Sequence, residues 1–250
     1  MMGLSSRHLR ILVALGVAGI LATTLILTAP MHAWGTTRPS THDPTPQRVA
    51  ESKLLDKLAI IFPVNNNTDM QFYRNTWLRD YLYPVCDWPA PGCKIVCHET
   101  STYHTLDKKT FCFSREMKKY RDKEFFLKLD DDAFVDKDYM IGLISNYTNW
   151  DKPVYISDHE RTSDHSNSNV DGAMYGNGKF YFFNYKLVEC VDVNLKYRGR
   201  RNEDAIFGAM VRSGCGEPNV EYVQEDDEFV WHKSYTHKNK YIDLGYIKNH

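Results

Sequence analysis

The chain has 250 residues and a formal net charge of −1, because 31 lysines and arginines almost balance 32 aspartates and glutamates. No basic cluster recurs along it, so the composition argues against nucleic acid as a partner. With 42% hydrophobic residues and six cysteines, the chain is instead typical of a globular domain that folds in a disulfide-permissive compartment.

An apolar segment lies close to the N-terminus. Arg7 and Arg10 precede an uninterrupted run of apolar or small residues that is long enough to span a bilayer as a helix. Basic residues on the amino side favour a cytoplasmic N-terminus, although a signal peptide cut after Ala33 is an alternative. Both interpretations place the rest of the chain outside the cytosol. The predicted parts are a cytoplasmic tail (residues 1–10), a transmembrane signal anchor (11–29), a stem rich in Pro, Thr and Ser (30–52) and a catalytic domain (53–250).

Apolar runs alternate with helix-like segments through the predicted domain. Strands that alternate with helices indicate an α/β sheet. A polar segment over residues 158–171 predicts a loop, and a β-like segment covers residues 226–237. The predicted strands are residues 57–64, 93–98, 125–129 and 154–157, and the predicted helices are residues 69–81, 111–123, 137–147, 184–193 and 202–213.

Three consecutive aspartates, Asp130, Asp131 and Asp132, follow the apolar run over residues 125–129. Open α/β sheets bind ligands at the carboxyl ends of their strands, so this position predicts a functional site. Adjacent carboxylates repel one another, and burying them is costly unless a cation compensates. Carboxylate oxygens suit Mg²⁺ or Mn²⁺. The alternative is a solvated acidic turn without any ligand.

Four motifs occur in a fixed order: RNTW at residues 74–77, KLDDD at 128–132, YGNGKFY at 175–181 and EDAIFG at 203–208. In this order they resemble the β-1,3-glycosyltransferases of the galactosyltransferase and fringe type, glycosyltransferase family 31. The resemblance covers roughly residues 58–214. It implies a GT-A fold, which is a Rossmann-like nucleotide-diphospho-sugar transferase fold. It also implies a single-pass type II protein of the Golgi membrane with a lumenal catalytic domain.

The resemblance also implies a reaction. An inverting hexosyltransferase of this type, dependent on Mn²⁺ (or Mg²⁺), moves a sugar from a UDP-sugar donor to a hydroxyl of a glycan, glycoprotein or glycolipid acceptor in β-1,3 linkage. Galactose and N-acetylglucosamine are the expected sugars. A carboxylate-held cation suits this chemistry, because it can neutralise the charge that develops on the departing diphosphate.

The same resemblance assigns metal ligands. Asp132 corresponds to the main ligand of the family, and Asp130 is expected to assist. A histidine near the C-terminus often adds a further ligand, which here corresponds to His232, with His237 as the alternative. Either histidine could instead be an ordinary surface or core residue.

Donor contacts are expected from Arg74, Lys128, Asp130, Asp131 and Gly178. For Arg74 the alternative is a structural ion pair, and for Lys128 it is an outward-pointing strand residue. Gly178 would let the backbone approach the sugar closely.

The EDAIFG motif holds the expected catalytic pair. Inverting transfer needs a base on the acceptor hydroxyl, and the resemblance assigns this role to Asp204, with Glu203 beside it. The alternative is that both acids simply favour the positive N-terminal end of a helix.

Other functions stay open at this point. The N-L-T-x-K element that the family carries before its acidic triplet is not evident, which motivates a non-catalytic lumenal carbohydrate-binding relative as the alternative. A metal-dependent phosphohydrolase is a third possibility, but recognisable ligands for a second metal are missing. Six cysteines allow fifteen disulfide pairings. Asn66 and Asn146 each begin a glycosylation sequon.

Overall fold

The computed structural model describes residues 46–163, 169–197, 202–226 and 228–232. The predicted tail and anchor (residues 1–29) lie outside these ranges, as does His237. In the described ranges, no helix is both long and apolar enough to cross a membrane.

Helices and strands alternate along the described chain. The helices are α1 (Pro46–Leu55), α2 (Met70–Arg74), α3 (Leu106–Met117), α4 (Lys137–Tyr147), α5 (Tyr185–Cys190) and α6 (Glu203–Cys215), with 3₁₀ turns at Trp77–Tyr81, Tyr103–Thr105 and Glu217–Asn219. The strands are β1 (Leu58–Pro63), β2 (Leu82–Cys86), β3 (Ile95–Val96), β4 (Phe125–Leu129), β5 (Ala133–Val135), β6 (Val154–Ser157), β7 (His159–Arg161), β8 (Met174–Gly176), β9 (Phe180–Asn184), β10 (Glu221–Gln224) and β11 (Val230–His232).

Seven strands form one mixed sheet in the order β10-β6-β9-β4-β1-β2-β3. Neighbouring strands are parallel except at β9, which runs antiparallel to both β4 and β6. Strand β4 lies at the centre, and all five of its residues are buried. Strands covered on both faces appear in a sequence as nearly continuous apolar runs. Four of the five residues of β4 are apolar, which explains why it could be predicted from its composition.

Helices cover both faces of this sheet. Alternate strand residues point to opposite faces, so Phe126 of β4 packs in one apolar cluster with helices α3 and α6. Phe125 and Leu127 pack in a second cluster with helices α1, α2 and α4. The predicted α/β class is therefore confirmed, with a sheet that is largely parallel.

Two small antiparallel pairs extend from the main sheet. Strand β5 directly follows the acidic triplet and pairs with β11, so that Ala133 lies opposite His232. Strand β7 pairs with β8. The β5–β11 pair matters for the site, because it returns the C-terminal part of the described chain to the carboxyl end of β4.

Several predicted elements need correction. The helix expected over residues 69–81 is the short α2 followed by a 3₁₀ turn, and the helix expected over residues 111–123 begins and ends five or six residues earlier as α3. Strand β2 was not predicted because Pro84 interrupts its β pattern, and a proline cannot donate to a sheet. Strand β7 lies inside the predicted loop 158–171.

Helix α1 overlaps the predicted stem at residues 46–52. It packs near α4, and Lys137 forms an ion pair with Glu51 at 3.5 Å. The structure describes none of residues 30–45, so the extent of the stem stays a prediction.

Three disulfides use all six cysteines and settle the pairing that the sequence left open. They close loops of 7, 15 and 25 residues, and the loop-entropy model gives each roughly 2–4 kcal/mol of stabilisation. The pairs are Cys86–Cys93, Cys97–Cys112 and Cys190–Cys215.

Candidate active site

A cleft of about 1040 Å³ opens at the carboxyl edge of the sheet. Its walls come from the segments that follow β1, β2 and β4, the turn before β9, the start of α6 and the end of β11. Its volume is near the upper end of the range for ligand pockets, which leaves room for more than a small metabolite. The cleft lies at the end of β4, which is where the sequence predicts a site.

Asp130, Asp132 and His232 come together on one side of the cleft. One ligand atom of each lies within 4.8 Å of the others, and His232 Nε2 is 2.9 Å from Asp132 Oδ1. Two carboxylates and one imidazole form a mixed oxygen and nitrogen donor set, which suits a divalent transition metal such as Mn²⁺ better than the all-oxygen sites that Mg²⁺ prefers. The three residues predicted as metal ligands, Asp130, Asp132 and His232, therefore form a candidate metal-binding group (the metal group).

Helix α2 and the following 3₁₀ turn hold the strand pair that delivers His232. Tyr73 donates a hydrogen bond from its hydroxyl to the carbonyl of Ala133 at 3.0 Å, and Trp77 donates from Nε1 to the carbonyl of Val135 at 3.1 Å. Both carbonyls belong to β5, whose partner β11 carries His232. The aromatic residues of this region thus act as structural supports for the metal group.

The carboxylate of Asp131 forms hydrogen bonds with the loop that follows β1. Its Oδ2 accepts hydrogen bonds from Asn65 Nδ2 at 2.8 Å and from Thr68 Oγ1 at 2.5 Å. These contacts tie the acidic triplet to the loop after β1, whose asparagines line the cleft. Asp131 also lines the cleft. The contact with a donor that the sequence predicts for Asp131 stays a prediction, and it concerns the second carboxylate oxygen, Oδ1.

Lys128 lies at the centre of the charged groups. Its side chain is only 3% exposed, which excludes the outward-pointing alternative. Its Nζ is 2.5 Å from Asp130 Oδ1, 2.6 Å from the carbonyl of Gly178 and 3.9 Å from Asp204 Oδ1. Burial alone would lower the pKa of this ammonium, but the surrounding carboxylates outweigh burial and raise it. Lys128 therefore stays charged and holds the acids of the two sides together.

Asp204 lies across Lys128 from the metal group, in the first turn of α6. Its amide donates to Asn202 Oδ1 at 3.0 Å, which caps the helix, and its Oδ1 accepts from the Tyr181 hydroxyl at 2.9 Å. Burial raises the pKa of Asp204 from 3.8 to about 7, with repulsion from Glu203 and Asp130 in the same direction and Lys128 opposing. A carboxyl group with this pKa can accept and release a proton near neutral pH.

Glu203 lies beside Asp204 and also lines the cleft. Burial raises its pKa above the ordinary value, while Lys128 acts against this shift. The alternative offered by the sequence, two acids that merely favour a helix N-terminus, explains neither the burial of Asp204 nor its contact with Tyr181.

The position of the Asp204 carboxylate leaves no room for a side chain at residue 178, which explains the glycine there. A Cβ added to Gly178 would lie only 2.6 Å from Asp204 Oδ2, closer than real Cβ contacts. The close approach predicted for this glycine is therefore an approach to a catalytic candidate. The sequence predicted an approach to a sugar, which no contact here demonstrates.

Arg74 takes a different position from the one predicted. Its side chain is exposed and is not among those that line the cleft. Its guanidinium lies instead next to Gly92, where an added Cβ would approach it to 2.9 Å. The predicted contact of Arg74 with a nucleotide therefore finds no support in the geometry.

Two charged pairs at the cleft were not predicted. Lys109 is buried and lies 3.0 Å from Asp87 Oδ1, at the end of β2. Lys179 forms an ion pair with Glu225, and both side chains are buried. Each pair joins residues far apart in the sequence, so no local pattern indicates it.

No protein-family model matches the sequence, and no curated protein matches it significantly. Among solved structures, the chain is similar to a glycosyltransferase involved in the glycosylation of the major capsid of PBCV-1. The identity is 11%, the coverage is 77% of this chain and 98% of that chain, and the TM-score is 0.39. A likeness at this level is too weak to assign a function.

Proposed function

We propose that this protein is a metal-dependent glycosyltransferase that moves a sugar from a nucleotide-sugar to an acceptor hydroxyl with inversion. One observation supports this best: Asp130, Asp132 and His232 share a cleft with the buried carboxyl group of Asp204. A displacement with an anionic leaving group needs a cation for the leaving group and a base for the attacking hydroxyl. The metal group and Asp204 could supply these two functions, and they lie on opposite sides of Lys128.

The finer proposal follows the motif resemblance. The fold is of the GT-A type, the donor is a UDP-sugar carrying galactose or N-acetylglucosamine, and the acceptor is a glycan, glycoprotein or glycolipid that receives a β-1,3 linkage. The protein is a single-pass type II protein of the Golgi membrane, anchored through residues 11–29. The six paired cysteines agree with a compartment that permits disulfides.

In this proposal Asp130, Asp132 and His232 would hold Mn²⁺, which would supply a Lewis acid for the diphosphate of the donor. Asp204 removes the proton from the acceptor hydroxyl as the hydroxyl oxygen bonds to the anomeric carbon of the sugar. The bond from that carbon to the diphosphate breaks in the same step, and the nucleoside diphosphate leaves with the electron pair. Asp204 Oδ1 already accepts from Tyr181, so Oδ2 takes the proton. Lys128 lies between Asp130 and Asp204 and offsets part of the repulsion between their carboxylates.

A non-catalytic lumenal carbohydrate-binding protein is the second candidate. Two residues expected to contact the donor favour it: Arg74 lies away from the cleft lining, and Asp131 is bonded to Asn65 and Thr68. Such a protein would bind a sugar or nucleotide without releasing a product.

One experiment separates the two candidates. The full chain, made in a eukaryotic secretory system, is incubated with a panel of UDP-sugars with and without Mn²⁺, and UDP release is followed. We expect release from one donor, lost with EDTA and in Asp132→Ala but retained in Asp122→Ala, a matched change at a side chain that is 72% exposed. Binding of a donor without release by the wild type would favour the non-catalytic candidate. Full release by Asp132→Ala would contradict the metal assignment.

A further inference from the structure

The turn formed by residues 177–179, which connects β8 to β9, touches each of the charged groups in the centre. The carbonyl of Gly178 accepts from Lys128 Nζ at 2.6 Å, and the carbonyl of Lys179 accepts from the Asp130 amide at 3.3 Å. The Cα of Gly178 lies against the carboxylate of Asp204. The backbone of this turn therefore sets the spacing between the metal side and the acid–base side of the cleft.

An ion pair holds this turn from behind. Lys179 Nζ contacts Glu225 Oε1, and the two side chains are 8% and 0% exposed. Glu225 directly follows β10, and its amide donates to the carbonyl of Ser157 at 3.0 Å. Ser157 in turn donates from Oγ to the carbonyl of Phe180 at 2.6 Å. The pair thus joins the ends of β10 and β6 to the turn before β9.

Glu225 also begins the segment that leads to the metal group. The chain passes from Glu225 to β11, where His232 lies against Asp132. One buried ion pair therefore connects the start of the His232 segment with the turn that contacts Asp130, Lys128 and Asp204.

We infer that Lys179 and Glu225 are positioning residues, which hold His232, Asp130 and Asp204 at the distances that the proposed reaction requires. The inference rests on the proposed function for its catalytic part and on the metal group alone for its binding part. A buried ion pair is often no more stabilising than an apolar pair of similar volume. The role of this ion pair is therefore to fix the positions of the neighbouring groups rather than to add stability.

The test replaces both members of the pair together with apolar residues. Lys179→Met/Glu225→Leu is compared with Lys57→Met/Glu124→Leu, which removes a partly exposed pair with Nζ and Oε1 3.0 Å apart at the other end of β1 and β4. Thermal unfolding in EDTA reports folding, and calorimetry with MnCl₂ reports metal affinity. We expect both variants to unfold cooperatively, but only the Lys179/Glu225 variant to bind Mn²⁺ about tenfold or more weakly, as is typical for residues that support metal ligands.

The catalytic part is tested at saturating Mn²⁺. We expect kcat to stay about tenfold or more below wild type in Lys179→Met/Glu225→Leu, with KM for the donor changed much less, because the misplaced acid lowers the rate of the bound complex. A protein weakened only in stability would recover its kcat once folded and loaded with metal.

Each outcome decides the inference. Wild-type Mn²⁺ affinity in the folded double variant would overturn the inference. If the double variant does not fold, Glu225→Gln takes its place, because it keeps the side-chain volume. Wild-type Mn²⁺ affinity in Glu225→Gln would then overturn the inference. A wild type that binds Mn²⁺ but releases no UDP from any donor contradicts the proposed function, while the affinities still decide the positioning role. A wild type that binds no Mn²⁺ overturns the metal group and the inference together.

Discussion

The two ends of the cleft compensate their carboxylates in opposite ways. At the end of β2, Asp87 accepts hydrogen bonds from the Ser101 amide at 2.9 Å and the Ser101 hydroxyl at 2.6 Å, and Lys109 lies 3.0 Å away. Burial alone would raise the pKa of Asp87, but these contacts outweigh it and lower the pKa. The negative charge of Asp87 is therefore compensated by groups of the protein itself.

The other end concentrates negative charge. Five carboxylates line it, and burial raises the pKa of three of them, namely Asp130, Glu203 and Asp204, above their ordinary values. Lys128 lies among them but does not bring these values back to normal. The contrast indicates that the acidic end gains stability when a cation binds, whereas the Asp87 end has little to gain from one.

The largest expected effect comes from Asp204→Asn. The amide has nearly the same shape and can still accept from Tyr181, but it cannot take a proton. We expect kcat for transfer to fall roughly 10²–10⁴-fold, the usual contribution of a general base. Calorimetry should show Mn²⁺ affinity within a few-fold of wild type, because Asp204 is not one of the three proposed metal ligands. Substantial transfer by this variant would show that another group acts as the base.

Gly178→Ala tests how closely the acidic end is packed. The added Cβ would meet Asp204 Oδ2 at 2.6 Å and must displace it, so we expect kcat to fall about 10²-fold. Gly142→Ala is the matched control, because nothing lies within 4 Å of a Cβ added there on α4. The control should keep full activity and gain up to about 1 kcal/mol of stability from improved helix propensity. Equal activities in the two variants would contradict the assigned role of Gly178.

Much of the frame at the acidic end could be predicted from the sequence. Strand β4 is apolar except at Lys128, and α4 was predicted with the bounds that it has, consistent with the Asp136 side chain that caps its start. The motif resemblance selected Asp130, Asp132 and His232, which the fold brings together. The proposed roles of these residues stay predictions until they are measured.

The contacts that compensate charge could not be predicted. Thr68 and Asp131 are 63 positions apart, and their hydrogen bond depends on β1 lying beside β4. Lys179 and Glu225 meet because β10 and β9 both flank β6. Strand β10 was itself missed, since it is short and partly exposed at the sheet edge and has no clear apolar alternation. Sequence patterns report local periodicity, whereas these pairs are set by strand order.

The pH dependence of stability should distinguish the acidic end. The folded-state pKa of Asp204 is raised from 3.8 to about 7, so its contribution to stability is present below pH 4 and is lost as pH rises through 7. In EDTA, we expect urea unfolding to show wild type losing roughly 4 kcal/mol more than Asp204→Asn between pH 4 and pH 8. The difference in unfolding free energy between the two proteins should therefore shift in favour of the variant as pH rises from 4 to 8. Parallel curves for wild type and Asp204→Asn would refute the raised pKa.

The smallest effect is expected at the Asp87 end. Ser101→Ala removes one hydroxyl hydrogen bond to Asp87 but leaves the Ser101 amide and Lys109 in place, so we expect a loss of about 1 kcal/mol in urea unfolding at neutral pH. Because the pKa of Asp87 is lowered, its contribution is present at neutral pH and disappears as pH falls through the folded-state value, the reverse of Asp204. The stability difference between Ser101→Ala and wild type should therefore shrink in acid, while Mn²⁺ affinity stays unchanged. A Ser101→Ala variant that binds Mn²⁺ more weakly would mean that the two ends are coupled, and that the acidic end depends on more of the cleft than its own carboxylates and Lys128.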